Sequence, residues 1–184
     1  MKIKGKLLQG KVTLLLVPSH KYENVVMDVA KELEEHKVCY VNLSRTHGAH
    51  TKNLKANGIN ARGTTYINAI SEATTARVAV GQQPNGHYSV SSPGAFTEIS
   101  VQVSKVLKKN CEYLVLDQLT NLVGYQDKTK VIKLVSNIAK QARQNGAKAV
   151  FYALDSEEHQ DMIKECGACV DNVIRIENVK AGRV

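Results

Sequence analysis

The stretch KVTLLLVPSHKYENVVMDVAKEL, residues 11–33, decides the fold of this chain. Its first part, Val12–Val17, is a continuous apolar run closed by Pro18, which is typical of a strand buried on both faces. After Ser19 the apolar residues recur at the spacing of one helix face: Val25, Val26, Val29, Ala30 and Leu33. The stretch therefore predicts a buried strand, a short loop and an amphipathic helix in direct succession.

The same alternation continues along the chain. Further strands are predicted over residues 38–43, 64–70, 113–116, 149–154 and 170–176. Helices are predicted over residues 51–57, from Pro93 to about 107, from about 127 to 145, and after a capping Ser156 as far as Cys166-Gly167. The turn formers at 81–86 predict a hairpin with arms over 77–80 and 87–91. We therefore predict an α/β fold of three layers, a mostly parallel sheet with helices on both faces and a β-hairpin insertion.

Length and composition limit the class of protein. The 184 residues fit one domain, 1–184, and 43% hydrophobic with 23% charged residues is an ordinary globular composition. No run approaches the roughly 20 apolar residues that cross a bilayer, so we expect no membrane partner and a cytoplasmic location with reduced cysteines. The net charge of +8 is compatible with anionic partners but names none.

The cysteine and histidine pairs predict no metal site. Cys166 and Cys169 form a Cys-x-x-Cys pair, but it lies at a predicted helix end, whereas redox pairs start a helix. A zinc site needs four ligands, and the pair His47 and His50 supplies only half of one. We assign no metal ligand and no catalytic residue.

The loop after the first strand lies where a phosphate-binding loop would lie. That loop requires Gly-x-x-x-x-Gly-Lys-Ser/Thr, in which the glycines admit phosphate to the backbone amides and the lysine neutralises it. Here residues 17–24 read VPSHKYEN, so Val17, Tyr22 and Glu23 replace both glycines and the lysine. Like charges about 4 Å apart repel by several kcal/mol at intermediate dielectric, so Glu23 opposes a nucleotide. The alternative is a plain helix start with a favourable Glu in its first turn.

A second motif is the apolar strand Tyr113-Leu114-Val115-Leu116 that ends in Asp117. In nucleoside triphosphatases an aspartate at this place holds magnesium. An aspartate that caps the following turn has the same pattern, and the sequence leaves both open. Ligands of parallel sheets bind beyond the carboxyl ends of the strands, so residues 18–23, 42–45, 117–118 and 155 are the places to search.

Four segments follow one another along the chain: the altered loop at 17–24, the helix start SSPGAFTEIS at 91–100, LVLDQL at 114–119 and KVIKL at 130–134. In this order they resemble the archaeal KaiC-like branch of the RecA superfamily of ATPases. The resemblance implies a RecA-like P-loop NTPase core, nucleotide bound between subunits, and a homo-oligomer in the form of a ring or filament. It assigns a degenerate nucleotide site to Ser19, His20, Lys21, Tyr22, Glu23, Asn24 and Asp117. Active members place acidic residues after the second strand, where this chain has Val41-Asn42-Leu43-Ser44-Arg45.

We therefore predict a pseudo-ATPase that acts in signalling or regulation through self-assembly or partner binding, with no cofactor. Two alternatives stay open. One is nucleic-acid binding through Lys2, Lys4, Lys6 and Lys11, with a second basic cluster at Lys105, Lys108 and Lys109. The other is binding of ATP with magnesium by an unorthodox loop that uses Lys21, Asp117 and Asp155.

Overall fold

A single sheet runs through the described part of the chain. The structure is a computed structural model that describes residues 10–70, 80–83 and 86–177. Its strands are β1 (Val12–Val17), β2 (Val38–Asn42), β3 (Thr65–Asn68), β4 (Gly81–Gln82), β5 (Tyr88–Ser89), β6 (Tyr113–Asp117), β7 (Lys148–Leu154) and β8 (Asn172–Arg175). The strand order is β4-β5-β3-β2-β6-β7-β1-β8, and every pairing is parallel except that of β4 with β5.

Helices cover both faces of this sheet. They are α1 (Tyr22–Glu32), α2 (His47–Ala56), α3 (Phe96–Leu107), α4 (Lys128–Gln144) and α5 (Gln160–Ala168). Short 3-10 turns at Ser19–Lys21, Leu119–Gly124 and Glu157–His159 follow β1, β6 and β7. No helix of the described residues is both long enough and apolar enough to cross a bilayer.

The alternating side chains of β1 show how the three layers form. Leu14 and Leu16 pack into the core under α3, α4 and α5, whereas Leu15 and Val17 pack under α1 and α2. Successive side chains of a strand point to opposite faces, so a strand that is apolar throughout needs cover on both sides. The predicted three-layer α/β fold is confirmed.

Three helix ends differ from the sequence prediction. The third helix begins at Phe96 rather than Pro93, because Ala95 N–H donates to Ser92 O at 3.1 Å and Gln126 Nε2 donates to Gly94 O at 3.0 Å, which fixes a turn there. Ser156 makes no side-chain capping bond, because a 3-10 turn lies between it and α5. Helix α5 continues through Ala168, past its predicted end at Cys166-Gly167.

The second helix and the hairpin also differ in extent. Helix α2 begins at His47 rather than residue 51, because the Thr46 hydroxyl accepts the Ala49 N–H at 3.2 Å and caps it early. The hairpin is present as β4 and β5, and it extends the edge of the sheet through the pairing of β5 with β3. Residues 77–79 of its predicted first arm lie outside the described residues.

Candidate functional site

The carboxyl ends of β1, β2 and β6 bring the predicted site residues together. Tyr22 starts α1 just after β1, and its ring lies 5.9 Å from that of Tyr152 on β7, which separates β1 from β6. Tyr22 thereby crosses β7 and reaches Asp117 at the end of β6. The loop after β2 supplies Ser44 and Arg45 to the same place.

Asp117 is the buried centre of this cluster. Its side chain is 4% exposed. One carboxylate oxygen accepts a hydrogen bond from the Tyr22 hydroxyl. The other accepts from Ser44 Oγ at 2.9 Å and from Arg45 Nε at 3.1 Å. Both oxygens of the carboxylate therefore have donors from this chain.

Arg45 connects Asp117 to Glu23. Its two terminal nitrogens donate to the two Glu23 carboxylate oxygens at 3.0 and 2.9 Å. This is the two-point geometry in which guanidinium binds carboxylate most strongly. Arg45 is 14% exposed and Glu23 60% exposed at their side chains, so the pair lies at the mouth of the site, above Asp117. Two carboxylates and one guanidinium leave one net negative charge here.

The protonation states match this network. Burial raises the pKa of Tyr22 well above its ordinary value, and the charge of Asp117 raises it further, so the hydroxyl stays a donor. Burial lowers the pKa of Arg45, but the hydrogen bonds that Arg45 donates to Glu23 and the charge of Asp117 outweigh burial and raise the pKa overall. Arg45 is therefore a permanent cation in this site.

The remaining residues of the predicted loop lie apart from Asp117. Ser19 and His20 are exposed in the 3-10 turn, and Asn24 is exposed on α1. Lys21 Nζ donates to the backbone oxygen of Glu177, beyond β8, at 2.6 Å. Asp155 pairs with Arg175 at 3.3 Å. In the described part of the chain, Asp117 forms no hydrogen bond or ion pair with any of these five residues.

Sequence reasoning missed the role of Arg45 and Ser44. It searched residues 42–45 only for a carboxylate that would activate water. The signal that would have revealed Arg45 is the adjacency of β2 and β6, because neighbouring parallel strands bring their carboxyl ends side by side. That adjacency does not follow from the local pattern of either strand.

ATP with magnesium does not fit these residues. A metal at Asp117 would have to displace Tyr22, Ser44 and Arg45 from both oxygens. A terminal phosphate would meet Glu23 where a lysine is required. Tyr22 is itself buried at the start of α1, at the position where a glycine would admit the phosphate to the backbone.

Histidine and cysteine clusters offer no metal centre either. Among residues 10–70, 80–83 and 86–177, no three His, Cys, Asp or Glu side chains are grouped so that they would hold an ion. Cys166 is buried in α5, and burial raises the pKa of its thiol to about 12. A protonated buried thiol is a poor ligand and a poor nucleophile.

Comparison with solved structures identifies the architecture. A KaiC-like protein from the hyperthermophilic archaeon Pyrococcus horikoshii OT3 is similar with a TM-score of 0.64, over 92% of this chain and 74% of that one, at 9% sequence identity. No protein-family model matches this chain, and no curated protein does. At that identity the likeness concerns the fold alone, and it agrees with the parallel sheet covered by helices described above. This chain has the fold of that KaiC-like protein.

Proposed function

We propose that this chain is a RecA-fold protein without ATPase activity, which acts in signalling or regulation by self-assembly or by binding a partner. The observation that carries the proposal is Arg45, which holds Glu23 and Asp117 at once. A positive side chain of the protein thus neutralises the carboxylate that magnesium would otherwise bind. Both oxygens of Asp117 have donors from this chain, so no ligand is needed to satisfy them.

The loop after β2 supports the loss of hydrolysis. Hydrolysis requires a general base beside the attacking water, and such a base contributes about 10² to 10⁴ in rate. The segment from Asn42 to Arg45 contains no carboxylate, and Asp117 is held as an acceptor of three hydrogen bonds. This end of the sheet lacks an unengaged base among the residues that meet Asp117.

The surface supports a role in assembly. Tyr125 is a large, partly apolar side chain that is 53% exposed. Tyr125 borders a groove of about 650 Å³ between α3 and α4 that contains Phe96 and Leu134. The groove is also lined by Glu98, Lys130 and Lys133, and an exposed aromatic side chain beside a groove of mixed polarity is typical of a protein interface. A second copy of the chain is the partner that the resemblance to ring- and filament-forming ATPases implies.

Isothermal titration with ATP and magnesium, with phosphate release measured on the same sample, tests the loss of activity. We expect no saturable heat and no turnover above the buffer blank. Saturable binding with steady turnover would overturn the proposal. Lys21→Ala then tests the unorthodox loop, because turnover that depends on Lys21 requires its ammonium to leave Glu177.

A second candidate function is nucleic-acid binding, which one observation favours. Basic residues stand at the amino ends of four neighbouring strands: Lys11 before β1, Lys37 before β2, Lys109 before β6 and Lys148 at the start of β7. Lys2, Lys4 and Lys6 lie outside the described residues. A gel shift at about 50 and 200 mM salt tests this function, because phosphate contacts give an affinity that falls steeply with salt. An affinity unchanged by salt would contradict it.

A further inference from the structure

A small cavity lies at the amino edge of the sheet, at the other end of β6 from Asp117. Its volume is about 210 Å³, and it lies where β2, β3, the β4–β5 hairpin and the end of α3 meet. That is the space of roughly seven waters at about 30 Å³ each. Sites for drug-sized ligands run from about 300 to 1,000 Å³, so this cavity suits a smaller ligand.

The charge of the lining is positive. Lys37 and Lys109 line the cavity, and no aspartate or glutamate does. Lys109 Nζ has a neutral partner, Gln82 Oε1 at 3.3 Å, and lies 5.6 Å from the centre of the Tyr88 ring. Within the described residues neither ammonium forms an ion pair. The cavity therefore has two cations that no carboxylate neutralises by contact.

Two sources of negative charge lie near the cavity, and together they do not cancel the positive charge of Lys37 and Lys109. Glu112 follows the cavity residue Cys111, but its carboxylate accepts the backbone N–H of Lys37 at 2.7 Å and lies 3.5 Å from His36. The carboxyl end of α3 adds a partial negative charge of about half a unit. Two full positive charges exceed these contributions.

Tyr88 forms an aromatic wall of the cavity. It lines the cavity and is 2% exposed, and its hydroxyl is buried away from any water-sized space, so a ligand in the cavity would meet the ring rather than the hydroxyl. Cys111 adds no reactivity, because burial raises the pKa of its thiol to about 11.

We propose that this cavity is a binding site for a small oxyanion of the phosphate class, held by the ammonium groups of Lys37 and Lys109. Two cations around a space of a few waters match a compact anion with several oxygens. The site lies at the opposite edge of the sheet from Arg45, so it does not depend on the loss of ATPase activity.

Titration of the ¹⁵N-labelled protein with inorganic phosphate at constant ionic strength tests the site. We expect saturable shifts of the Lys109, Asn110 and Cys111 amides. Lys37→Gln and Lys109→Gln should each weaken phosphate binding about tenfold, because each removes one charged hydrogen bond to the anion. Lys105→Gln is the matched control: it removes the same charge from the last turn of α3, shortly before Lys109 in the sequence, but Lys105 does not line the cavity, so affinity should be unchanged.

Two outcomes would overturn the proposal. Shifts that stay linear with phosphate, or an equal loss in Lys105→Gln, would show a diffuse charge effect in place of a site. A short single-stranded oligonucleotide is the second probe. Binding of the oligonucleotide that depends on Lys109, without saturable binding of inorganic phosphate, would assign these lysines to a nucleic-acid backbone. A phosphate monoester that binds more tightly than inorganic phosphate would support the site and identify the source of the anion.

Discussion

Arg45 joins two carboxylates from different elements, and their burial differs widely. Asp117 is 4% exposed at its side chain, whereas Glu23 is 60% exposed. A buried carboxylate that loses its cation keeps the cost of desolvation without the compensating charge. An exposed ion pair contributes little, about 0 to 1 kcal/mol. The energetic importance of Arg45 therefore lies in its bond to Asp117.

Arg45→Ala should lower the free energy of unfolding by about 2 to 3 kcal/mol, because Asp117 loses a charge-assisted hydrogen bond. Glu23→Gln is the matched control, which disturbs only the exposed pair and should cost less than about 1 kcal/mol. Urea denaturation of both variants measures the difference. Equal costs would mean that Asp117 does not depend on Arg45.

Tyr22 and Tyr152 test the same cluster through single hydroxyls. Tyr22 donates to Asp117, whereas the buried hydroxyl of Tyr152 has no partner among the described residues. Tyr22→Phe should cost about 1.5 to 3 kcal/mol, the range for a hydrogen bond to a charged group. Tyr152→Phe should be neutral or slightly stabilising, because it removes an unsatisfied group. Thermal and urea unfolding of both variants give the comparison, and the reverse order would contradict the assigned bond.

At the scale of single residues, the sequence predicted some members of the site but not the bonds between them. The sequence showed Glu23 at the position where a phosphate-binding loop would need its lysine, and it showed Asp117 at the end of an apolar strand. The bond from Tyr22 across β7 to Asp117 was not, because it joins residues 95 positions apart. The contacts of such a pair depend on strand order, which local periodicity does not contain.

Among the elements, α4 and α5 differ in how they begin. The Asp127 carboxylate accepts the Lys130 N–H at 3.0 Å and caps α4, whereas Ser156 makes no side-chain cap before α5. Asp127→Ala should therefore lower the free energy of unfolding by about 1 kcal/mol. Ser156→Ala is the matched control, expected to change it by less than about 0.5 kcal/mol. Urea unfolding would contradict the assignment if Ser156→Ala were the costlier change.

Helix α2 carries a buried histidine that should make stability depend on pH. His50 is 1% exposed, and neither ring nitrogen has a hydrogen-bond partner among the described residues. Burial lowers the pKa of His50 to about 4, and the positive charge of Arg45 contributes. The unfolded chain, with a pKa of about 6.5, thus binds a proton that the folded chain does not.

Stability should therefore fall as pH drops from about 6.5 towards 4. The loss between pH 7 and pH 5 should be about 2 kcal/mol from His50 alone. His50→Leu removes this titration, so the difference between the two proteins in urea unfolding isolates it. A wild-type protein and a variant with the same pH profile would contradict the lowered pKa.

The sequence predicted the bounds of an element most closely where one physical rule determines its residues. Apolar runs located β1, β2, β6 and β7 to within a residue or two, because a strand buried on both faces needs apolar side chains throughout. Helix starts were less certain. Pro93 resembles a first helical residue, but the bond from Gln126 to Gly94 holds that segment in a turn, and Gln126 is 32 positions away.

At the scale of the whole molecule, the alternation of strands and helices predicted the layers but not the order of the strands. Right-handed crossovers permit several orders of a parallel sheet. The order found here puts β6 between β2 and β7, and that placement creates the cluster around Asp117. The same order puts β8 at one edge and the hairpin at the other.

Self-assembly is one of the two modes of action in the proposed function, and Tyr125 is the side chain that best reports on it. Tyr125 is 53% exposed beside the groove between α3 and α4. A tyrosine that becomes buried when two proteins associate often dominates the energy of their interface. Light scattering should give a mass that is a multiple of the 20.2 kDa chain. Tyr125→Ser should weaken association at least tenfold, equivalent to about 1.4 kcal/mol.

The matched control is Val173→Ser, which changes a similarly exposed apolar residue on the edge strand β8 and should leave the mass unchanged. If Val173→Ser dissociates the assembly and Tyr125→Ser does not, copies join through the edge of the sheet. A wild-type protein that is monomeric at every concentration would contradict assembly altogether.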